Sequence, residues 1–473
     1  MRKTKIVCTI GPACSSPEIM EKMLKSGMNV ARFNFSHGTH EYHKELMDTF
    51  RAVRDKLKMP AAVLLDTKGP EIRFCDFEGG KIRVNKGGRF AITSRDVIGN
   101  ENEGKITYPP LIGQIERGTR ILVDDGKVSL IADEFTDTDI ICKVEHGGYI
   151  SNHKSINIPN TSIDMPYISK KDEEDLLFGI RENVDFVAAS FVRCKENVVE
   201  LRRFLDYHGG HSIKIISKIE NMEGVNNFEA ILSVSDGIMV ARGDMGVEIE
   251  FEKLPGIQKR FIRRCYSSGK MVITATQMLE SMVHSPTPTR AEITDVANAV
   301  FDGTSAVMLS GETATGDNPA LVVRTMAKIA EQAESDAIDL GVYSNLVYDN
   351  EKRDTTNAVC DAAVTTARDL NADLIVAVTK SGLTARRMSK FRPEQPIIAA
   401  TPEEKTFHQL ALSWGVLPVL SLMQRDTETL FVHAIDCAKQ LGLANPGETA
   451  IITAGAPVNL SGTTNLLKVQ VVD

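Results

Sequence analysis

A lysine and a glutamate, Lys218 and Glu220, end the short apolar run Lys214–Glu220, which closes Ser217-Lys218-Ile219-Glu220. Residues two apart on an extended strand point the same way, so the two side chains share one face. The next apolar run, Gly237–Gly243, ends Arg242-Gly243-Asp244 and brings a second carboxylate to a neighbouring strand end. A Lys–Glu ion pair capping a fold would use the first pair alone. Two carboxylates beside a lysine also suit Mg²⁺ or Mn²⁺, which bind hard oxygens and keep positions open for water and phosphate. A third group lies upstream in Arg32-Phe33-Asn34-Phe35-Ser36-His37, with Asp66-Thr67. Arg32, Asn34 and Ser36 alternate and share a face, and an arginine there suits bidentate phosphate binding. The neutral oxygens of Asn34 and Ser36, with Asp66 and Thr67, make a low-charge set matched to a monovalent cation. A hydrogen-bonded interior is the other use for Asn34 and Ser36. His37 reads as a structural or nucleotide-side residue rather than a base.

A separate candidate lies far downstream, where the run Asp373–Val378 passes into Thr379-Lys380-Ser381-Gly382-Leu383-Thr384 and then Arg386 and Arg387. Hydroxyls and glycine at a helix start can hold an anion, or can simply cap the helix. The loop from Gly455 to Asn465, with Gly462 and Thr463, could close over the same ligand.

Such groups need strands to carry them. Apolar runs at Lys5–Ile10, Asn29–Phe35, Ala61–Thr67, Asp185–Phe191, Lys214–Glu220, Gly237–Gly243, Lys270–Thr276 and Ser305–Ser310 alternate with helical periodicity. Continuous apolar strands imply a parallel sheet buried on both faces, and eight of them is the count of a closed α/β barrel. An open doubly wound sheet is the alternative. In a barrel the polar strand ends form the active face. Between the third and fourth runs, from Pro70 to Met165, helical periodicity gives way to short alternating runs at Lys81–Val84, Phe90–Thr93, Arg120–Val123 and Ile140–Val144. These predict a small inserted β domain hanging over that face as a lid. After Ser344 a third segment alternates helix with strands at Asp373–Val378, Ile397–Ala400 and Thr449–Ile452, predicting a further α/β domain. The expected division is a barrel from 1–69 and 167–344, an insert over 70–166 and a terminal domain over 345–473.

Composition narrows the partners. The chain of 473 residues carries a net charge of −8, which argues against a nucleic-acid coat, so any anion must be held by local cations and metal. The 8 cysteines are scattered without a C-x-x-C pair, which fits neither a disulfide framework nor a zinc site. The apolar run near the N-terminus stops at Gly11-Pro12, too short for a signal peptide or a membrane span. A reducing cytoplasm, with no membrane or nucleic-acid partner, is the expectation.

The strings MNVARFNFSHG, LLDTKGPEIR, IISKIENMEG, IMVARGDMGVEI, VITATQMLESM, PTPTRAEITDVANAVFDGTSAVMLSGETA and TKSGLTAR together resemble the pyruvate kinase family, in that family's order, from Thr4 to Asn465. The resemblance implies a (β/α) barrel with an inserted small β-barrel lid and a C-terminal α/β regulatory domain. It implies phosphoryl transfer from phosphoenolpyruvate to ADP, the final step of glycolysis. By match, Arg32 would hold the substrate phosphate and Glu220 and Asp244 the divalent metal. Lys218 would sit over the transferred phosphoryl group and the bridging oxygen. Asn34, Ser36, Asp66 and Thr67 resemble the family's potassium site, with Glu71 the variant associated with potassium dependence. Arg73 and Lys154 would approach the nucleotide phosphates, on the side of Asn34 and His37. Gly243 and Thr276 would line the pyruvate end, and Thr276 through a water chain is a candidate route for the proton. The loops around Thr379–Thr384 and Gly462–Thr463 match the family's site for a phosphorylated effector, and the family is typically tetrameric.

Ser155 and Asn160 stand where the family often has glycines, Phe33 and Met245 where leucines are common, and Thr287 where arginine is frequent. Two rivals lack part of this set. A metal-dependent lyase or aldolase needs neither a potassium site nor a nucleotide-facing lid. A silent metabolite sensor has no use for Lys218, Glu220 and Asp244 together.

Overall fold

The computed structural model describes residues 1–343, 354–458 and 464–473. The eight apolar runs form β1 (Lys5–Thr9), β2 (Val30–Asn34), β3 (Ala62–Asp66), β4 (Phe186–Ala189), β5 (Lys214–Ile219), β6 (Gly237–Ala241), β7 (Met271–Ala275) and β8 (Ala306–Leu309). Each pairs in parallel with the next, and β8 closes on β1, so the sheet is a barrel and not an open sheet. Alternation explains the unbroken hydrophobicity of these strands. Val7, Val30, Leu64, Ile216 and Ile273 fill the barrel interior, while neighbours such as Cys8, Ala31, Val63, Ile215 and Val272 pack beneath the surrounding helices. The helices begin where local chemistry allows. In Pro17–Ser26, for example, Ser16 accepts the Ile19 N–H, Pro17 opens the first turn, and left-handed Gly27 ends it.

Between β3 and β4 lies a seven-stranded sheet, with one parallel pair among antiparallel ones, and a two-stranded ribbon joining Lys81–Val84 to Gly148–Ser151. Phe74, Phe90, Ile121 and Leu130 belong to a core separate from the barrel's. Its entering and leaving strands pair with each other, Ile72 with Ile156 and Arg73 with Ser155, so the insert is attached through one narrow double strand.

The C-terminal sheet contains β9 (Leu374–Val378), β10 (Ile397–Thr401), β11 (Val416–Leu420), β12 (Thr449–Gly455) and β13 (Thr464–Val471), in the order β11-β10-β9-β12-β13. Only β13 runs antiparallel to its neighbour. The edge strands β11 and β13 were not among the expected strands. Pro418 obscures the first, and polar residues alternating along the second leave its outer face wet. Ala411 and Leu412 join the barrel's interior cluster. Beside them Gln409 donates to the carbonyls of Asp185 and Ser212, which precede β4 and β5. The C-terminal unit therefore docks on the barrel's amino end, opposite the polar strand ends. No described helix is long and apolar enough to cross a membrane.

Candidate active site

Side chains from the ends of β2 to β5 converge on Lys218. Its Nζ donates to Ser190 Oγ at 2.7 Å and stands 3.1 Å from Asp66 Oδ1 and 3.0 Å from Glu220 Oε1. Asp66 also accepts from Arg32 Nε at 2.6 Å and from Ser190 Oγ at 3.2 Å. Arg32 donates onward through Nη1 to Thr9 Oγ1 at 2.8 Å. Glu220 Oε2 accepts the Phe191 N–H at 2.6 Å. Its buried Oε1 faces the lysine but accepts no hydrogen bond among the described residues. Sequence reasoning passed over Ser190 and Thr9. The signal was present for Ser190, a polar residue one short of the end of the run Asp185–Phe191 at the same rim.

The charges are mutually sustaining. Burial works against ionised Asp66, but Lys218 and Arg32 outweigh it and hold the carboxyl below its usual range. Burial likewise opposes the Lys218 ammonium, yet Asp66 and Glu220 raise it above the ordinary lysine value. Glu220 goes the other way. Burial pushes its carboxyl up against the pull of Lys218, and the nearby charge of Asp244 adds to the shift.

Asp244 lies in the first turn of the helix Arg242–Glu248, directly after β6. Its carboxylate has no hydrogen bond or ion pair among the described residues. No group of three or more His, Cys, Asp or Glu side chains suited to a metal occurs among them either. The Glu220 carboxyl, whose Oε1 faces only the Lys218 ammonium, and a free carboxylate on Asp244 fit a cation that draws its remaining ligands from substrate and water. Across the rim Thr276 follows β7 with φ +69°, a conformation costly for a β-branched residue. Its hydroxyl accepts the Gly243 N–H at 2.8 Å and lies 2.6 Å from Ala275 O, to which it donates. The hydroxyl thus bridges the Gly243 amide and the Ala275 carbonyl across the rim.

The comparisons with known proteins meet this arrangement over the whole chain. Residues 1–323 match the family described as pyruvate kinase, barrel domain, and residues 357–470 match pyruvate kinase, alpha/beta domain. The chain belongs to the pyruvate kinase family. A pyruvate kinase of Clostridium acetobutylicum is 47% identical over 474 residues, covering 100% of both chains. One of Staphylococcus haemolyticus is 49% identical over 477 residues, covering 100% of this chain and 81% of that protein. A crystal structure of a pyruvate kinase from Cryptosporidium parvum superposes with a TM-score of 0.92 at 40% identity, covering 100% of this chain and 96% of that one. The reaction is that of the family: the phosphoryl group of phosphoenolpyruvate passes to ADP, giving pyruvate and ATP.

The other expected residues are placed less uniformly. Asn34 Oδ1 accepts the Ser36 N–H at 3.1 Å, and Thr67 Oγ1 accepts the Ser190 N–H at 3.1 Å. The four oxygens expected for a monovalent cation thus lie at the ends of β2 and β3, with Asp66 tied to Lys218 and Arg32. His37 is exposed, and its carbonyl accepts from His43 Nε2 at 2.7 Å. Arg73 pairs with Glu71 at 2.6 Å and donates to His153 O, while Lys154 pairs with Asp124 at 2.8 Å. Asn160 takes φ +60°, which accounts for glycine being usual there, and Phe33 and Met245 are buried packing residues. A cleft of about 470 Å³ separates insert from barrel. It is lined by Glu71, Asn157, Phe191, Asn221 and Glu248 and opens beside the Lys218 cluster without including it.

In the C-terminal unit Thr379 Oγ1 accepts the Gly382 N–H at 3.0 Å and Lys380 lies 3.6 Å from Glu403. Thr379 and Lys380 line a cleft of about 80 Å³ with Ser421 and Gly455. Ser381 and Gly382 flank that cleft without lining it. Thr384 is buried instead, its hydroxyl 2.6 Å from that of Thr464, because the helix turns it toward β13. Gly462 and Thr463 lie outside the described residues.

Proposed function

We propose that the Lys218 cluster is the phosphoryl-transfer centre. The observation that carries this is a lysine ammonium held by Asp66, Glu220 and Ser190 at the barrel's active rim, beside a free Asp244. Phosphoryl transfer is chiefly positioning plus neutralisation of developing charge. Arg32 receives the substrate phosphate, its orientation fixed by Asp66 and Thr9. Lys218, kept protonated by two carboxylates, faces the transferred group and then the enolate oxygen left behind. Gly243 and Thr276 line the carboxylate end, joined to each other by the Gly243 N–H on the Thr276 hydroxyl. Mg²⁺ or Mn²⁺ on Glu220 and Asp244 supplies charge neutralisation and orientation of phosphate and carboxylate when bound. K⁺ is assigned to Asn34, Ser36, Asp66 and Thr67. ADP is placed toward Asn34, His37, Arg73 and Lys154, the last two delivered by the 70–166 insert acting as a lid. That arrangement requires Arg73 and Lys154 to exchange their present carboxylate partners for nucleotide phosphates.

The deciding experiment is pyruvate formation from phosphoenolpyruvate and ADP with Mg²⁺, comparing K⁺ with tetramethylammonium. Activity that needs ADP and Mg²⁺ and rises with K⁺ supports both cation assignments. Activity indifferent to K⁺ removes the monovalent site and leaves the transfer centre standing. A phosphorylated metabolite at the Thr379–Lys380 cleft is the proposed effector, tested by saturation curves with sugar phosphates and AMP. A cytoplasmic homotetramer is the proposed working form, supported by family membership and tested by light scattering.

A further inference from the structure

Arg242 enters neither the metal set nor the Lys218 cluster, yet its side chain is among the most heavily engaged at the rim. Nε donates to Ala275 O at 3.2 Å, and Nη2 donates to Thr276 O at 2.5 Å and lies 2.9 Å from the Met278 sulfur. Nη1 pairs with Asp295 Oδ2 at 2.6 Å. One planar guanidinium thus grips two successive carbonyls at the end of β7 and is itself anchored to the helix Arg290–Phe301. The backbone it grips is strained. Thr276 and Gln277 are consecutive non-glycine residues with φ of +69° and +53°. Such conformations persist only where the surroundings over-determine them. The bend has a consequence at the rim, because it aims Thr276 Oγ1 across to the Gly243 N–H, next in sequence to Arg242 itself.

We infer that Arg242 is a positioning residue for the substrate carboxylate: it clamps the left-handed Thr276–Gln277 bend and so sets the Thr276 hydroxyl against the Gly243 amide. The inference rests on the reading that Gly243 and Thr276 receive that carboxylate. Arginine is required because the task needs several forked donors. Lysine at the same place keeps the charge toward Asp295 but cannot serve both carbonyls in fixed geometry.

The test compares Arg242→Gln, Arg242→Lys and Thr276→Val in the full chain. KM is measured for phosphoenolpyruvate and for ADP, with product inhibition by pyruvate and thermal unfolding. Arg242→Gln is expected to raise KM for phosphoenolpyruvate and Ki for pyruvate by about tenfold or more, the scale of misplacing a positioning group. KM for ADP should stay within about twofold, a split that a general loss of structure does not produce. Arg242→Lys should fall between, and it carries the test if Arg242→Gln does not fold. Adding Gln277→Gly to the weakened variant, which removes part of the backbone cost, should recover some phosphoenolpyruvate affinity. Unchanged phosphoenolpyruvate and pyruvate constants in the Arg242 variants, with those of Thr276→Val altered, would overturn the clamp and keep the carboxylate site. Unchanged constants in Thr276→Val as well would remove the carboxylate reading itself. Equal losses for phosphoenolpyruvate and ADP would reduce Arg242 to a structural role.

Discussion

Lys218 is the cation shared by the buried carboxyls of Asp66 and Glu220, with Arg32 a second cation on Asp66 alone. Removing it does two things at once. It deletes the cation proposed to face the transferred group, and it leaves Glu220 buried without a cationic partner and Asp66 with Arg32 alone. Lys218→Met is therefore expected to lower turnover by at least ~10²–10³-fold, the cost of losing one such stabiliser. It should also lower stability by about 3–5 kcal/mol, the usual result of breaking a buried pair from one side. Steady-state kinetics and a denaturant titration on the same preparation separate the two effects. Normal turnover in a folded variant would exclude Lys218 from the chemistry.

At the scale of elements, the strands are legible because parallel barrel strands are apolar on both faces, and their polar ends mark the rim. Closure is decided by tighter constraints that leave little trace in hydrophobicity. Gly237 opens β6, and a Cβ there would lie 2.8 Å from Ile216 Cδ1 on β5 and 2.9 Å from Met271 O on β7. Gly237→Ala should thus cost about 1–3 kcal/mol by overpacking between two neighbouring strands, read as a lower denaturant midpoint. The same limit on legibility applies to β11 and β13. An edge strand lacks the second buried face that made the barrel strands obvious.

For the molecule as a whole, two junctions matter. The insert reaches the barrel through Asn157 Nδ2, which donates to Glu248 Oε1 at 3.3 Å, four residues beyond Asp244 in the same short helix. Asn157→Ala is expected to raise KM for ADP by a few-fold, about the worth of one hydrogen bond to a charged group, with thermal unfolding nearly unchanged. An unaltered ADP constant would separate lid position from this contact. At the other end the N-terminal strand is sewn to the C-terminal unit, with Lys5 Nζ donating to Val416 O at 2.8 Å. Burial pushes Lys5 down from 10.5 to about 7, and burial of Lys3 takes it to about 8. Below pH 7 both folded and unfolded chains hold the Lys5 proton and the full cost of burying charge is present. Between about pH 7 and 10 the unfolded chain keeps protons that the folded chain has released, so this contribution to stability improves as pH rises. Lys5→Met should flatten that rise in unfolding midpoints taken from pH 7 to 9.5. An unchanged slope would place the titration elsewhere.

The sequence alone carried the family resemblance, the eight-strand rhythm, the position of the insert and the strand-end placement of Lys218, Glu220, Asp244 and Arg32. The family rests on the resemblance of whole motif strings, and the other features depend on residue type and short spacing, which are local. Only the tertiary structure decided how the charges are partnered. Asp66 turned out to be shared by Arg32, Lys218 and Ser190, the Thr276 hydroxyl to bridge Gly243 and Ala275, and Thr384 to be buried against Thr464. The Arg242 grip on the bend after β7 belongs to the same class, joining residues 33 and 34 positions apart. Partnerships of this kind follow from barrel closure and strand register, and a buried polar group acquires its role from whatever the fold brings within 3 Å.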